Sequence, residues 1–149
     1  MPDFVSQQAT YVAAQGSVRI ENDGLEVRKV KPGGVDMDHQ YAWAFGRQDP
    51  VVIVEGRATP ETVTLSVALA VGIEFVKAYP NWRSTRVTFQ VTYDSPQLGS
   101  VNYVHQGGAI KSVKPTESDG GATSEAMWDL EIMPLGVEVG GVNLVAPST

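Results

Sequence analysis

The sequence predicts a mainly β fold, one domain spanning residues 1–149, with one short helix at about residues 72–80 and extended loops. Three observations carry this expectation. Residues 61–71, 85–94 and 125–133 alternate apolar and polar side chains with the period of two expected of strands buried on one face. Gly-, Pro- and Asn-rich turn chemistry recurs between such segments. Helical spacing shows in one place only, where Ile73, Phe75, Val76 and Tyr79 follow Gly72 until Pro80 forbids another turn.

Taken in order, residues 1–16 set Phe4, Val5, Tyr11 and Val12 among small and polar neighbours, and read either as a loose arm or as an edge strand. Residues 17–31 read as a hairpin turning at Asn22-Asp23-Gly24, with glycine supplying the positive φ. Beyond Pro32-Gly33-Gly34, residues 35–50 are either a short strand with an aromatic face or a long loop. Tyr41, Trp43 and Phe45 there either form a contact surface or turn inward to complete the core. The unbroken apolar run at 51–55 suits a buried central strand.

In the next segment Val63, Leu65, Val67, Leu69 and Val71 form the buried face, and Thr62, Thr64 and Ser66 stand on a small neutral one. After the helix, Val87, Phe89, Val91 and Tyr93 oppose Arg86, Thr88, Gln90, Thr92 and Asp94. Two short strands at 101–105 and 109–113 are expected on either side of Gly107-Gly108. Residues 114–124 are expected as a mobile loop. The next strand turns Ala126, Trp128, Leu130 and Ile132 inward, and a closing hairpin turns at Gly140-Gly141 before a short tail.

A chain with 42% hydrophobic and 19% charged residues is globular rather than disordered. No apolar run approaches the roughly 20 residues of a membrane span, so a soluble protein is expected. The first residues lack a basic and then apolar secretory pattern, which makes cytoplasmic synthesis the default. The absence of cysteine excludes disulfide frameworks, thiolate zinc sites and thiol nucleophiles. Eleven basic residues against seventeen acidic, a net charge of -6, argue against a surface that grips nucleic acid through its phosphates.

The motifs of phosphate binding, dinucleotide binding, serine hydrolases and zinc proteases are missing. Asp36, Asp38 and His39 could offer ligands to a metal, but no second strong ligand group accompanies them, and a solvated loop is the preferred reading. Asp129 and Glu131 stand two apart on one strand face, roughly 7 Å from each other and within the range of glycosidase carboxylates. Any amphipathic strand of an acidic protein produces the same spacing. Neither a catalytic residue nor a cofactor is assigned.

The early hairpin, the extended loop after Pro32, the paired alternating strands around the helix and the terminal GVEVGGVNLV together resemble the tail tube proteins of contractile-tailed bacteriophages, which are similar to the tube protein of type VI secretion. The resemblance implies a β-sandwich or barrel-like antiparallel domain acting as a non-enzymatic virion structural subunit, made in the host cytoplasm. It would form stacked hexameric rings, with tail sheath and baseplate proteins as partners and DNA passing through the lumen without specific binding. It makes Glu125, Asp129, Glu131, Thr62, Thr64, Ser66, Thr88 and Gln90 candidates for the lumen wall, where an acidic lining would repel phosphate. Asp36, Asp38, Tyr41, Trp43, Phe45, Arg47 and Asp49 become candidates for a loop that contacts a neighbouring subunit. Two rival readings are a β-sandwich carbohydrate or receptor-binding module that stacks ligand on Tyr41, Trp43 and Phe45, and a small hydrolase using Asp129 and Glu131.

Overall fold

A computed structural model describes residue 11 and residues 16–116 and 125–146. The expected N-terminal arm or edge strand, most of the loop at 114–124 and the last three residues lie outside them. The chain opens with β1 (Gly16–Ile20), β2 (Asp23–Leu25) and β3 (Lys29–Lys31). Four short strands follow, β4 (Val35–Met37), β5 (Gln40–Trp43), β6 (Pro50–Val54) and β7 (Ala58–Pro60). Then come β8 (Val63–Ala68), the helix α1 (Leu69–Ala78), β9 (Arg86–Ser95), β10 (Gly99–Pro115), β11 (Met127–Met133), β12 (Gly136–Val139) and β13 (Val142–Val145).

Nine strands form one antiparallel sheet in the order β2-β1-β9-β10-β11-β8-β3, with β12 pairing β10 and β13. The sheet rolls up on itself. Val18 and Ile20, near one end of the order, lie in the same buried cluster as Leu65 and Val67, near the other, with Phe89, Val91, Leu130 and Ile132 between them. Each such side chain contributes about 1.5–3 kcal/mol by leaving water. The helix covers the cluster through Phe75, and Gly72 lets it approach Trp128 so closely that a Cβ would stand 3.1 Å from the indole.

The helix starts three residues earlier than the spacing predicts and ends two earlier. Leu69 and Val71 continue the alternation of β8 only by coincidence: the Leu69 amide donates to the Ala126 carbonyl at 3.0 Å, and helical backbone follows. Tyr79 precedes Pro80 and is held out of helical backbone, at φ -124° and ψ 67°.

The first hairpin is also shorter than expected. Ile20 pairs with Asp23, so the turn is Glu21-Asn22, and Gly24 sits in β2 opposite Arg19. The left-handed backbone falls on Glu21, at φ 56°, where strand β9 compensates it twice. The Glu21 amide donates to the Thr88 carbonyl at 2.8 Å, and the Thr88 amide donates to Glu21 Oε1 at 2.9 Å. Residues 29–31 do not complete that hairpin; they pair with β8 at the far end of the sheet.

The two strands expected around Gly107-Gly108 are one, because those glycines form a bulge rather than a break. Gly107 takes φ 62°, and a Cβ on Gly108 would lie 2.5 Å from Ile132. The first half of β10 pairs β12 and the second half pairs β11. The closing hairpin matches expectation, with Val139 opposite Val142 and both glycines at positive φ.

Candidate functional site

Residues 35–60 form a β-ribbon outside the main sheet. Its base pairs Val35 with Pro60, Asp36 with Thr59 and Met37 with Ala58, and its outer part pairs Gln40 with Val54, Tyr41 with Ile53 and Ala42 with Val52. The joint between the two parts is closed by the Asp38 amide on the Arg57 carbonyl and the Gly56 amide on His39 Nδ1, each at 3.0 Å. His39 is therefore used by the ribbon, and among the described residues no group of three or more potential ligands could hold a metal. Gly56 faces the Asp38 carbonyl so closely that any Cβ there would overlap it. Gly56→Ala is expected to open the joint without unfolding the sheet, so that the Asp38 amide exchanges at least about tenfold faster while the thermal midpoint holds.

The ribbon is apolar on both sides and bare on both. Tyr41 and Ile53 share one face with Trp43, and Ala42 and Val52 share the other with Val54. Tyr41 is 64% exposed, Trp43 59% and Phe45, in the terminal turn, fully so. The aromatic rings do not complete the core. The run at 51–54 is likewise not a buried central strand: Val51 to Val54 are each about half exposed. An apolar run signals something to be covered, and among the described residues nothing covers it. Two-stranded ribbons are marginal alone in water, and exposed apolar patches of this kind mark contact sites. From base to tip the arm can reach roughly 30 Å. Asp36, Asp38, Arg47 and Asp49 are on the same arm, the last two in its tip.

The second candidate surface is the outer face of the sheet. Register places Lys29, Ser66, Asp129 and Lys114 side by side across β3, β8, β11 and β10, with Lys31, Thr64, Glu131 and Ser112 as the next row. The Ser66 hydroxyl donates to Asp129 Oδ1 at 2.6 Å, and Lys111 Nζ lies 3.8 Å from Glu131. Further round, Arg19 and Ser17 flank Gln90 and Thr92, and the Thr92 hydroxyl donates to Asn102 at 2.6 Å. Thr88 and Gln90 are on this face, Thr62 just precedes β8, and Glu125 is outside the strands. Glu125 accepts from Arg28 at 3.1–3.2 Å, and with Glu26 it holds that guanidinium in its charged form. The face the sequence marked as acidic is thus threaded with lysines. Ser66 and Lys111 contact its two strand carboxylates, Asp129 and Glu131.

No protein-family model and no curated protein matches the sequence. Solved structures match the fold. A chain in the sheath/tube terminator of an extracellular contractile injection system, PVC, in its extended state superposes with a TM-score of 0.72 over 90% of this chain and 99% of that one, at 10% identity. A chain in the tube-terminating cap of the anti-feeding prophage gives 0.70 over 92% and 95%, at 12% identity. Hcp1 from Flavobacterium johnsoniae gives 0.56 over 89% and 99%, at 12% identity. The chain has the fold of these tube and cap assemblies.

Proposed function

We propose that, with this fold as the premise, the chain is a structural subunit of a contractile tube. It would act as one domain, assemble in stacked hexameric rings and have no catalytic role. The observation that carries the reading is the arm, a ribbon apolar on both sides that is left bare among the described residues, as a surface made for a neighbouring molecule would be. The tail setting, the sheath and baseplate partners and a lumen that passes DNA follow from the fold's likeness to such assemblies. Synthesis in the cytoplasm of a phage host and residence in the virion belong to the same proposal.

The lumen wall on this reading is the outer sheet face with Thr64, Ser66, Thr88, Gln90, Asp129 and Glu131. Strands about 4.8 Å apart set Lys29, Lys31 and Lys114 within one or two strands of these carboxylates. Alternating charges at that spacing cancel beyond the roughly 8 Å screening length. Slip would then come from self-neutralisation rather than from an acidic lining.

Negative-stain microscopy and native mass measurement of the purified protein test the reading. Rings or stacked tubes are expected, and a monodisperse monomer at high concentration overturns it. Tyr41→Ser with Ile53→Ser is expected to weaken assembly by more than about thirtyfold, because central aromatic contacts dominate interfaces. The thermal midpoint of the dissociated subunit should stay within about 3 °C of wild type, since neither side chain packs in the core. A monomer that binds oligosaccharide through Tyr41, Trp43 and Phe45 would favour the binding-module reading instead.

A further inference from the structure

We propose that the tip of the arm docks into an acid-rimmed apolar groove between α1 and the β1–β2 hairpin of a second copy of this chain, with Phe45 filling the groove and Arg47 pairing with its carboxylates. This rests on the reading of the arm as a contact surface, and it names the surface that receives it.

The groove has a volume of about 490 Å³, ample for a phenyl ring. Its floor is made by Ile20 and Leu25 of the hairpin and by Val71, Phe75 and Tyr79 of the helix region. The Phe75 and Tyr79 rings stand 5.2 Å apart and tilted by 43°; Phe75 is buried beneath, and half-buried Tyr79 is the ring left for an incoming side chain. Asp23, Glu26 and Glu74 also line it. Glu26 already holds Arg28 at 2.6 Å, so Asp23 and Glu74 are the carboxylates assigned to the incoming cation. Burial, and then the nearby Glu21 and Asp23, hold the Tyr79 hydroxyl above its ordinary pKa.

The arm tip has the complementary chemistry. Phe45 is fully exposed, Gly46 turns the chain at φ 80°, and Arg47 follows, its amide bound to the Ala44 carbonyl at 3.1 Å. A ring and a guanidinium two residues apart on a tight turn fit an apolar floor beside a carboxylate. A second hollow, by Tyr11, Pro32, Tyr93, Val101 and Tyr103, is aromatic but has no carboxylate in its lining among the described residues, so it matches Phe45 and not Arg47.

The lack of native cysteine makes the test direct. Arg47→Cys and Glu74→Cys, made as separate single variants and mixed in equal amounts under assembling conditions, are expected to form the mixed disulfide at least about tenfold above either self-pair. Val101→Cys, at the second hollow, is the control partner. If the particles assemble and Arg47→Cys links instead to Val101→Cys, or to neither, the groove is overturned while the arm remains a contact surface. If wild type never assembles, the arm reading falls and the groove with it. Charge exchange gives an independent readout. Arg47→Glu should weaken association about tenfold, and adding Glu74→Lys should bring it back to within about threefold; no recovery removes the ion pair from the proposal.

Discussion

Leu65→Asp is expected to abolish the cooperative unfolding transition at neutral pH. Leu65 is 1% exposed in the middle of β8, opposite Leu130 and Val30, with strands on both sides. Removing the side chain from the core forfeits about 2–3 kcal/mol of burial. The carboxylate that replaces it meets no cation there, which adds several kcal/mol more whether it stays ionised or takes up a proton. Together these approach the whole stability of an ordinary domain, about 5–15 kcal/mol. Thr64→Lys, one residue away on the other face, is the informative comparison. Thr64 lies between Lys31 and Glu131, so a lysine there is solvated and the subunit stays folded. On the tube reading it tips the neutral wall toward positive and hinders ring formation or DNA passage. Circular dichroism melts of both variants decide the first point. Normal rings and normal DNA passage in Thr64→Lys would take this face out of the channel.

That contrast between neighbouring residues is also what made the sheet legible in the sequence. β8, β9 and β11 are each buried on one face, so alternation had to appear, and Val87, Phe89, Leu130 and Ile132 could be read as core directly. The terminal hairpin was legible because two consecutive positive-φ positions demand Gly140-Gly141. What could not be read was set by partners distant in sequence. Glu21 bears a left-handed backbone because Thr88 of β9 holds it. Residues 29–31 leave the first hairpin because β8 offers a free edge.

The candidate site was half legible for a related reason. The aromatic alternation of Tyr41, Trp43 and Phe45 flagged the arm, but the run at 51–54 was read as interior. Periodicity reports which residues need covering and not which molecule covers them. A pairing of residues 40–43 with 50–54 around Gly46-Arg47-Gln48-Asp49 was a signal in the sequence that would have found the ribbon. The groove had no such signal, since Leu25, Val71 and Phe75 look like ordinary core until the helix is placed against the hairpin.

His105 gives the other large effect, and it depends on pH. The ring is fully buried in β10 and neither nitrogen has a hydrogen-bond partner. Phe89 of β9 lies directly opposite on one side, with ring centroids 6.0 Å apart, and Val137 of β12 on the other. No carboxylate offsets the loss of water, and burial alone lowers the imidazole from 6.5 to about 4. A base whose folded value is depressed is neutral in the folded protein while the unfolded chain still takes up a proton. Its contribution is therefore intact above pH 6.5, declines as the pH falls through the window between the two values, and is gone below about pH 4. The gap corresponds to about 3 kcal/mol. Carboxylates titrate in the same range, so the measurement is the difference between wild type and His105→Phe in denaturant unfolding at pH 7 and pH 4. Phe keeps the contact with Phe89 and removes two unsatisfied nitrogens, so it should be neutral or slightly stabilising at pH 7. At pH 4 its advantage should grow by about 3 kcal/mol; a difference that stays constant with pH would show that the ring is hydrated in the folded protein. Acid loosening would begin where β10 spans β9 and β12, because a charged imidazole cannot stay between Phe89 and Val137 and must open one of the two ladders to reach water.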